Sequence, residues 1–305
     1  MFRFQKTLSQ RLQISGIGLH SGKLMELVLI PLPEDSGIWF QRVDNPGARP
    51  ICASTENVSD TSLATSIGAG DEKVGTLEHL LAALGGLGIS NLKVEVNGPE
   101  VPILDGSAAP WATMLQKAGV KTLNAPRPFY LVKKAFALED ATGEKFISVS
   151  PASSFSLECS IEFPGYVKNQ SKYFSFSKSA FVRDICPART FCLEKDVEMM
   201  RQNNLALGGS LDNAVVIGTN GEILNPEGLR FPDECVRHKI LDFLGDLTLA
   251  QYPIIGHFSA YKTGHALNQE FLKNILKKPG ILEKVMPELE FTGFELPITG
   301  VALAS

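Results

Sequence analysis

Two hydrophobic periodicities alternate along the first part of the chain. Short runs of apolar and β-branched residues at 24–30 and 92–96 are bounded by Gly, Pro and Asn, which is typical of sheet strands. Between them, leucines recur every three or four positions from 77 to 84, so residues 74–84 are predicted to form a core-facing helix. The glycine pair at 85–86 is predicted to end that helix.

The same patterns continue to the end of the chain. Further strands are predicted at 129–136, 146–149 and 155–163, and further helices at 107–118, 180–185, 194–201, 234–250 and 265–277. The segment 123–128 contains two prolines in three residues. Proline disrupts a helix and lacks the backbone N–H group that a strand would donate, so this segment is predicted to be a linker. We therefore expect an α+β protein of two domains, 1–126 and 127–305, each a β-sheet layered against α-helices.

Composition excludes several classes of protein. Of 305 residues, 44% are hydrophobic and 20% charged, which is ordinary for a globular protein. A net charge of −4 argues against broad nucleic-acid binding, which needs a basic surface. The five cysteines form no C-x-x-C pair, no apolar leader follows the N-terminus, and no run of about 18 apolar residues occurs. We expect a cytoplasmic monomer without stable membrane insertion.

A metal site is the first chemical hypothesis. His238 and Asp242 lie four residues apart on a predicted helix, so they share one face about one turn apart. An imidazole and a carboxylate supply two of the three protein ligands of a catalytic zinc site, which keeps a position open for water. The same spacing more often marks a solvated helix face, so this pair alone is weak evidence.

The third ligand has to come from another helix. Only five histidines are present, and His79 is the best candidate because it directly follows Glu78 on the leucine-rich helix. Their side chains would project about 100° apart and could flank one site, with Glu78 as the base that takes a proton from zinc-bound water. The alternative is an exposed Glu-His pair at a helix edge. Neither H-E-x-x-H nor H-x-x-E-H occurs, which disfavours an ordinary metallopeptidase.

The glycine-rich segment 16–23 resembles a phosphate loop only superficially. Ser21 stands where G-x-G-x-x-G requires glycine, and the Walker spacing also fails. We predict a tight turn between two strands, from which His20 could still face a cleft.

A series of motifs in a fixed order is far more specific than any of these signals alone. The motifs are Gly18-Leu-His-Ser-Gly22, Thr76-Leu-Glu-His79, Pro102-Ile-Leu-Asp-Gly-Ser-Ala-Ala-Pro110, Ala188-Arg-Thr-Phe191, Leu207-Gly-Gly-Ser210, Leu229-Arg-Phe231, Val236-Arg-His-Lys239, Asp242 with Gly245-Asp246, and Ala260-Tyr-Lys-Thr-Gly-His-Ala-Leu267. Together they resemble the UDP-3-O-acyl-N-acetylglucosamine deacetylase family over nearly the whole chain.

The resemblance implies a Gram-negative enzyme of lipid A biosynthesis. Such an enzyme removes acetate from UDP-3-O-(3-hydroxyacyl)-N-acetylglucosamine, and its fold is two similar α+β domains with the active site between them. The implied zinc ligands are His79, His238 and Asp242, with Glu78 as general base. His265 matches a second catalytic group, a protonated imidazole oriented by Asp246, and Thr190 matches a hydroxyl that binds the oxyanion. A structural hydrogen bond is the alternative for His265 and Thr190.

The resemblance also implies the substrate contacts. In this family an insertion, here at about 191–225, forms an apolar passage for the acyl chain, in which each buried CH₂ contributes about 0.8 kcal/mol. The predicted contacts for the passage are Phe191, Leu193, Val197, Leu207, Gly209 and Ser210. Lys239 and Lys262 are predicted to contact the UDP phosphates, because each flanks a predicted site residue and an acidic protein needs a local cation there. The alternatives are core residues and ordinary surface lysines.

Three questions stay open at this point. A non-catalytic sugar-nucleotide-binding metalloprotein, or a zinc amidase for another acylated amine, would share most of these residues. Two histidines and one aspartate accept Fe(II) as well as Zn(II). Finally, Pro187 and Cys192 depart from the residues expected beside the Ala-Arg-Thr-Phe motif, so the acyl-length preference is not predicted.

Overall fold

The computed structural model of the protein describes residues 3–163 and 169–287. The chain ends of both predicted domain ranges, at 1–2 and 288–305, lie outside the described residues. The α-helices are α1 (Glu78–Leu87), α2 (Ala109–Lys117), α3 (Lys178–Ala180), α4 (Glu194–Gln202), α5 (Glu234–Thr248) and α6 (His265–Lys277). Short 3₁₀ turns lie at Thr55–Asn57 and Gly70–Glu72, and a π-helical turn lies at Phe181–Ile185.

The strands of the first half are β1 (Phe4–Leu8), β2 (Leu12–Ile17), β3 (Leu24–Pro31), β4 (Ile38–Arg42), β5 (Ile51–Cys52), β6 (Val58–Asp60), β7 (Ser66–Ile67), β8 (Leu92–Val96) and β9 (Val120–Pro126). Those of the second half are β10 (Phe129–Val132), β11 (Phe136–Glu139), β12 (Phe146–Ser150), β13 (Ser156–Glu162), β14 (Asn169–Ser175), β15 (Phe191–Leu193), β16 (Val215–Ile217), β17 (Ile254–Ile255), β18 (His257–Tyr261) and β19 (Leu282–Val285). The mixture of sheets and helices confirms the predicted α+β class.

The central sheet of the first half has the strand order β2-β3-β8-β4-β5. Its strands pair antiparallel except for β4 and β8, which run parallel with Phe40 opposite Val94. Alternate residues of β3 and β8, such as Leu27 and Val94, are buried and pack in one core with α1. One-sided burial of this kind explains the alternating pattern of the sequence.

The central sheet of the second half repeats that arrangement, with the order β11-β12-β18-β13-β14. Again one pair is parallel, β13 with β18, and the other pairs are antiparallel. In both sheets the strand that comes last along the chain is inserted between the second and third. The shared topology supports the prediction of two similar domains, which stays a prediction.

The two halves meet through α1 and α5. Both helices are buried along much of their length. Thr248 of α5 donates a hydrogen bond to the carbonyl oxygen of Leu81 in α1, at 3.3 Å. Gly85 of α1 lies so close to Thr248 that a Cβ atom there would meet Oγ1 at 2.6 Å. The helices that carry the histidine and carboxylate motifs therefore pack directly on each other.

Three local predictions were wrong. The run at 129–136 is not one strand, because β10 ends at Val132 and β11 begins at Phe136, and the two strands belong to different sheets. Residues 123–126 are not a linker, because they belong to β9, which pairs antiparallel with β1 and ends with Pro126 opposite Phe4. A strand end tolerates a proline because the missing donor is not needed there. The first helix begins at Glu78 and continues through the glycine pair to Leu87, and it is capped by Gly88 in the left-handed conformation at φ 80°.

Other local predictions are confirmed. The segment 16–23 is a tight turn between β2 and β3, closed by a 2.9 Å hydrogen bond from the Gly18 amide to the Lys23 carbonyl. The helix at 265–277 and the strand at 92–96 have the predicted bounds. Within the described part of the chain, no helix is both long and apolar enough to span a bilayer.

Candidate metal and catalytic site

The three predicted metal ligands converge where α1 meets α5. His79 is the second residue of α1, and His238 and Asp242 lie one turn apart on α5. All three side chains are buried, and one ligand atom from each lies within 4.8 Å of the others. Among residues 3–163 and 169–287, this is the one cluster of histidine, cysteine and carboxylate groups that could hold a metal ion.

The geometry fits a divalent ion. Asp242 Oδ1 lies 3.2 Å from His238 Nε2 and 3.9 Å from His79 Nε2, and the two imidazole rings are nearly perpendicular, at 82°. Asp242 Oδ1 is buried and has no hydrogen-bond partner among the described residues. A buried carboxylate oxygen is costly unless it is paired or coordinates a cation. Two imidazoles and one carboxylate are a donor set that catalytic zinc sites use.

The charges of these side chains also suit metal binding. Burial, together with the neighbouring His238, lowers the pKa of His79 to about 3, so its imidazole is neutral. Burial opposes the charge of Asp242, but His238 and Lys239 outweigh it and hold the pKa of Asp242 well below its usual range. Metal ligands must be deprotonated, and neutral imidazole and carboxylate are the required forms.

Hydrogen bonds outside the cluster orient its members. His238 Nδ1 lies 3.0 Å from the carbonyl oxygen of Ala188, which makes Nδ1 the protonated nitrogen and leaves Nε2 to face the cluster. Lys239 Nζ donates to Asp242 Oδ2 at 2.8 Å. Lys239 thus pairs with a predicted metal ligand, although it was predicted from the sequence to contact phosphate.

The Ala188 carbonyl is itself fixed by a buried ion pair. Arg189 Nε donates to Glu234 Oε1 at 2.9 Å, and both side chains are almost fully buried. Arg189 also bonds Glu227 and the Gly228 carbonyl. This pair anchors the segment that carries both Ala188 and Thr190.

Glu78 lies beside the cluster on α1. Its Oε2 accepts a 3.0 Å hydrogen bond from the amide of Thr65. Burial raises the pKa of Glu78 to about 7; the neighbouring Asp242 adds to the rise and His265 opposes it. A carboxylate with a pKa near neutrality is suited to accept and return a proton at the pH of the cell.

His265 faces Glu78 from the N-terminus of α6. Its Nε2 lies 3.9 Å from Glu78 Oε1, and its Nδ1 lies 2.9 Å from Asp246 Oδ2. Asp246 is held in turn by Thr65 Oγ1 at 2.6 Å and by Asn268 Nδ2 at 2.8 Å. Burial opposes protonation of His265, but Asp246 outweighs it and raises the pKa of His265 to about 9. The imidazole is therefore charged at neutral pH.

A cleft of about 1140 Å³ opens onto the cluster. The predicted site residues that line it are Glu78, His79, Thr190, Phe191, Leu193, His238, Lys239, Asp242, Lys262 and His265. Lys262 also pairs with Glu162, at 3.2 Å. Thr190 is fixed by its main chain, because its amide donates to the Gly106 carbonyl at 2.8 Å and its carbonyl accepts from the Val215 amide at 2.8 Å.

Four predicted substrate contacts are not among the residues that line this cleft. Val197 belongs to α4, which contributes Asp196, Met199 and Met200 instead. Leu207, Gly209 and Ser210 follow α4 in a loop that packs against the turn at 18–22: the Leu207 amide donates to the His20 carbonyl at 3.2 Å, and the Gly208 amide donates to the Leu19 carbonyl at 3.0 Å. Their contact with substrate stays a prediction.

Comparison with known proteins decides the family. A sequence model described as UDP-3-O-acyl N-acetylglycosamine deacetylase matches residues 5–277. The chain belongs to this family. Proteins named UDP-3-O-acyl-N-acetylglucosamine deacetylase are similar to it throughout. The protein of Myxococcus xanthus is 47% identical over 98% of this chain and 95% of its own length.

Two further relatives have the same name. The protein of Geobacter sp. strain M21 is 49% identical over 90% of each chain, and that of Shewanella oneidensis is 44% identical over 94% of each chain. Similarity to members of the UDP-3-O-acyl N-acetylglycosamine deacetylase family therefore extends over both halves of the fold, including both helices that carry the predicted metal ligands.

Several residues of this deacetylase-family site were missed in the sequence. Thr65 bonds both Glu78 and Asp246, yet it lies outside every motif that drew attention, and no signal in the sequence marks it. Arg189 was part of the Ala-Arg-Thr-Phe motif, but its pairing with Glu234 joins residues that are 45 positions apart. Motif position could have indicated Arg189, whereas its partner required the fold.

Proposed function

We propose that this protein is a zinc-dependent deacetylase that removes the N-acetyl group from UDP-3-O-(3-hydroxyacyl)-N-acetylglucosamine and releases acetate, in lipid A biosynthesis. One observation carries the proposal. In a chain of the deacetylase family, the ligand atoms of His79, His238 and Asp242 lie within 4.8 Å of one another, and Glu78 and His265 face the same cleft.

The proposed cofactor is Zn²⁺, held by His79, His238 and Asp242. When bound, the ion polarises the amide carbonyl and lowers the pKa of a coordinated water toward about 7. The same two-nitrogen, one-oxygen donor set accepts Fe²⁺, so availability of the metal would decide which one is bound in the cell. Ala188 and Lys239 support the assignment because each bonds a ligand side chain and fixes its orientation.

Glu78 is proposed as the general base. Its carboxylate takes a proton from the attacking water as the oxygen bonds to the carbonyl carbon of the acetamide. The pKa near 7 supports this role, because a substantial fraction of the group is ionised at neutral pH while proton transfer stays favourable. The amide of Thr65 keeps the carboxylate directed at the cleft.

His265 and Thr190 are proposed to act on the tetrahedral intermediate. The His265 imidazolium donates a hydrogen bond to the oxyanion or a proton to the leaving nitrogen, after which the C–N bond breaks and the sugar amine departs. Asp246 stabilises the charged ring through a 2.9 Å hydrogen bond. Thr190 lines the same cleft, and its hydroxyl donates a hydrogen bond to the oxyanion.

The rest of the cleft is proposed to hold the acyl chain and the nucleotide. Phe191 and Leu193 line it and supply apolar area for the chain. Lys262, which also lines the cleft, is the proposed partner of a UDP phosphate. The insertion at about 191–225 includes α4, which also contributes to the cleft wall. We retain the division into domains 1–126 and 127–305, with this cleft between them.

The decisive experiment combines metal analysis with assay of acetate release. Purified protein should contain one equivalent of zinc or iron, and it should release acetate from the UDP-linked substrate. The matched control is the same substrate with the 3-O-acyl chain removed, which should react far more slowly because it loses the apolar contacts. Protein that binds metal but releases no acetate from the acylated substrate would refute the proposed function.

A further inference from the structure

A buried carboxylate outside the proposed mechanism joins two segments of the chain. Glu100 is only 4% exposed and does not line the catalytic cleft. Its Oε1 accepts a hydrogen bond from the Ser21 amide at 2.8 Å, and its Oε2 accepts from the His20 amide at 3.1 Å and from the Thr76 hydroxyl at 3.2 Å. A buried carboxylate is costly unless donors satisfy it, so these bonds hold Glu100 and its three partners in one arrangement.

Thr76 has a backbone conformation that its residue type rarely adopts. Its φ is 58°, in the left-handed region, where the branched side chain of threonine is crowded. The residue is 2% exposed, and its hydroxyl donates to the Glu100 carboxylate. Because only glycine takes this conformation without crowding, the surroundings of Thr76 have to hold it there.

The left-handed turn at Thr76 lies immediately before α1. On one side of it, Gly75 forms a β-bridge with Glu100. On the other side, α1 begins with Glu78 and His79, the proposed base and a proposed metal ligand. A rotation about the backbone of Thr76 would therefore move Glu78 and His79 relative to α5, which carries the other two proposed ligands.

The other two hydrogen bonds attach Glu100 to the tight turn at 18–22, which contains both of the donating amides. That turn is closed by a 3.1 Å hydrogen bond from the Gly22 amide to the Gly18 carbonyl. A Cβ atom at Gly18 would lie 2.7 Å from Glu100 Cδ, so the turn packs closely against the carboxylate. The turn therefore supports Glu100 independently of Thr76.

We propose that Glu100 is a positioning residue of the deacetylase site. Its carboxylate anchors Thr76 in the left-handed conformation and thereby fixes the direction in which α1 presents Glu78 and His79. Glu100 touches neither the substrate nor the metal in this role. The inference rests on the proposed function, because Glu78 and His79 have their roles only in that reaction.

The first test is Glu100→Gln in the full chain. Glutamine keeps the size of the side chain but turns an NH₂ group toward one set of donors, so the hold on Thr76 is weakened. Zinc affinity, measured without substrate by competition with a chelator, should fall about tenfold or more, as for loss of a group that orients a metal ligand. The value of kcat should fall about 10- to 100-fold through misplacement of Glu78, while KM changes little because Glu100 does not line the cleft.

The matched control is Glu72→Gln. Glu72 also accepts a main-chain hydrogen bond, from the Arg49 amide at 3.2 Å, but it does so on the exposed surface. This variant should keep the zinc affinity and the kcat of the wild-type protein.

Thr76→Gly distinguishes this role from a general loss of packing. Glycine adopts the left-handed conformation without an anchor, so Glu100→Gln should reduce zinc affinity much less in the Thr76→Gly background than in the wild-type background. Equal losses in the two backgrounds would overturn the proposal, because Glu100 would then act without Thr76. Wild-type zinc affinity and kcat in Glu100→Gln would overturn it as well.

Circular dichroism verifies folding first. If Glu100→Gln does not fold, Thr76→Val decides the question, because it removes the hydroxyl bond and leaves the two main-chain bonds to Glu100 in place. Thr76→Val should lose zinc affinity, and an unchanged affinity would overturn the proposal. A wild-type protein that binds zinc but releases no acetate would refute the deacetylase function, whereas the zinc measurements would still test Glu100.

Discussion

Gly245 of α5 lies directly against the main-chain carbonyl of Glu78 in α1. A Cβ atom at Gly245 would overlap the Glu78 carbonyl oxygen and would lie 3.0 Å from its Cα. No side chain fits between the two helices at this point, and backbone on one side cannot move aside as a flexible side chain can. This close approach brings the Asp242 turn of α5 to the His79 turn of α1.

Gly245→Ala should therefore destabilise the protein and weaken metal binding. Alanine improves helix propensity by about 1 kcal/mol, but overpacking against backbone costs about 1–3 kcal/mol or more, so the net effect is destabilising. The measurements are the melting temperature and the metal content. The control is Gly264→Ala, since a Cβ at Gly264 meets nothing within 4 Å. An unchanged melting temperature and full metal content in Gly245→Ala would contradict the packing argument.

Substitutions of Glu78 and of His238 should have different effects on metal content and turnover. Glu78→Gln keeps the shape of the side chain and the three metal ligands, so metal content should stay at the wild-type value while kcat falls about 10²- to 10⁴-fold, as for loss of a general base. His238→Ala should lose both metal and turnover. The control is Glu139→Gln, because Glu139 lines the cleft but has no part in the proposed reaction. Undiminished turnover in Glu78→Gln would exclude it as the base.

The elements that could be predicted from sequence are those with local causes. Residues 265–277 and 92–96 have the predicted bounds because their periodicity is uninterrupted. The first helix was misplaced because its limits depend on tertiary contacts. Residues before Glu78 are held by bridges of Val74 to Ile67 and of Gly75 to Glu100.

The residues of the candidate site also fall into those that local sequence could predict and those that depend on tertiary contacts. Spacing alone could propose His238 and Asp242, and the position of His79 directly after Glu78 on the leucine-rich helix could propose the third ligand, because both inferences use residue order along the chain. Thr65 could not be proposed, since its bond to Asp246 joins residues 181 positions apart.

The buried ion pair between Arg189 and Glu234 yields a stability prediction. Arg189→Met leaves the Glu234 carboxylate buried without its partner, and such a loss costs about 3–5 kcal/mol. The double variant with Glu234→Leu should recover part of that free energy, since neither charge then remains buried. Recovery should be partial because the amides of Arg189 and Arg230 also donate to Glu234.

Urea unfolding measures both effects. The control is Arg183→Met, because Arg183 forms a similar paired contact with Asp184 on the exposed surface, where ion pairs contribute about 0–1 kcal/mol. If Arg189→Met and Arg183→Met cost the same free energy of unfolding, the buried pair does not anchor the segment before Thr190.

The charge of His265 predicts how activity depends on pH. Burial opposes protonation of His265, but Asp246 outweighs it and raises the pKa of His265 from 6.5 to about 9. The favourable interaction of the charged ring with Asp246 is therefore fully present below about pH 6.5 and is lost as the pH rises through 9. If the imidazolium is the active form, kcat/KM should fall above pH 9. Asp246→Asn removes the stabilising charge, so this alkaline decline should move to lower pH.

Thr65→Val is the matched control for that shift. It removes a hydrogen bond to the other oxygen of Asp246 but keeps the carboxylate charge, so the alkaline decline should move much less than in Asp246→Asn. Titration of the His265 ring by NMR should give the same pKa as the pH profile in each variant. A decline that stays at the wild-type pH in Asp246→Asn would show that another group titrates, and His265 would then have no role as a charged donor.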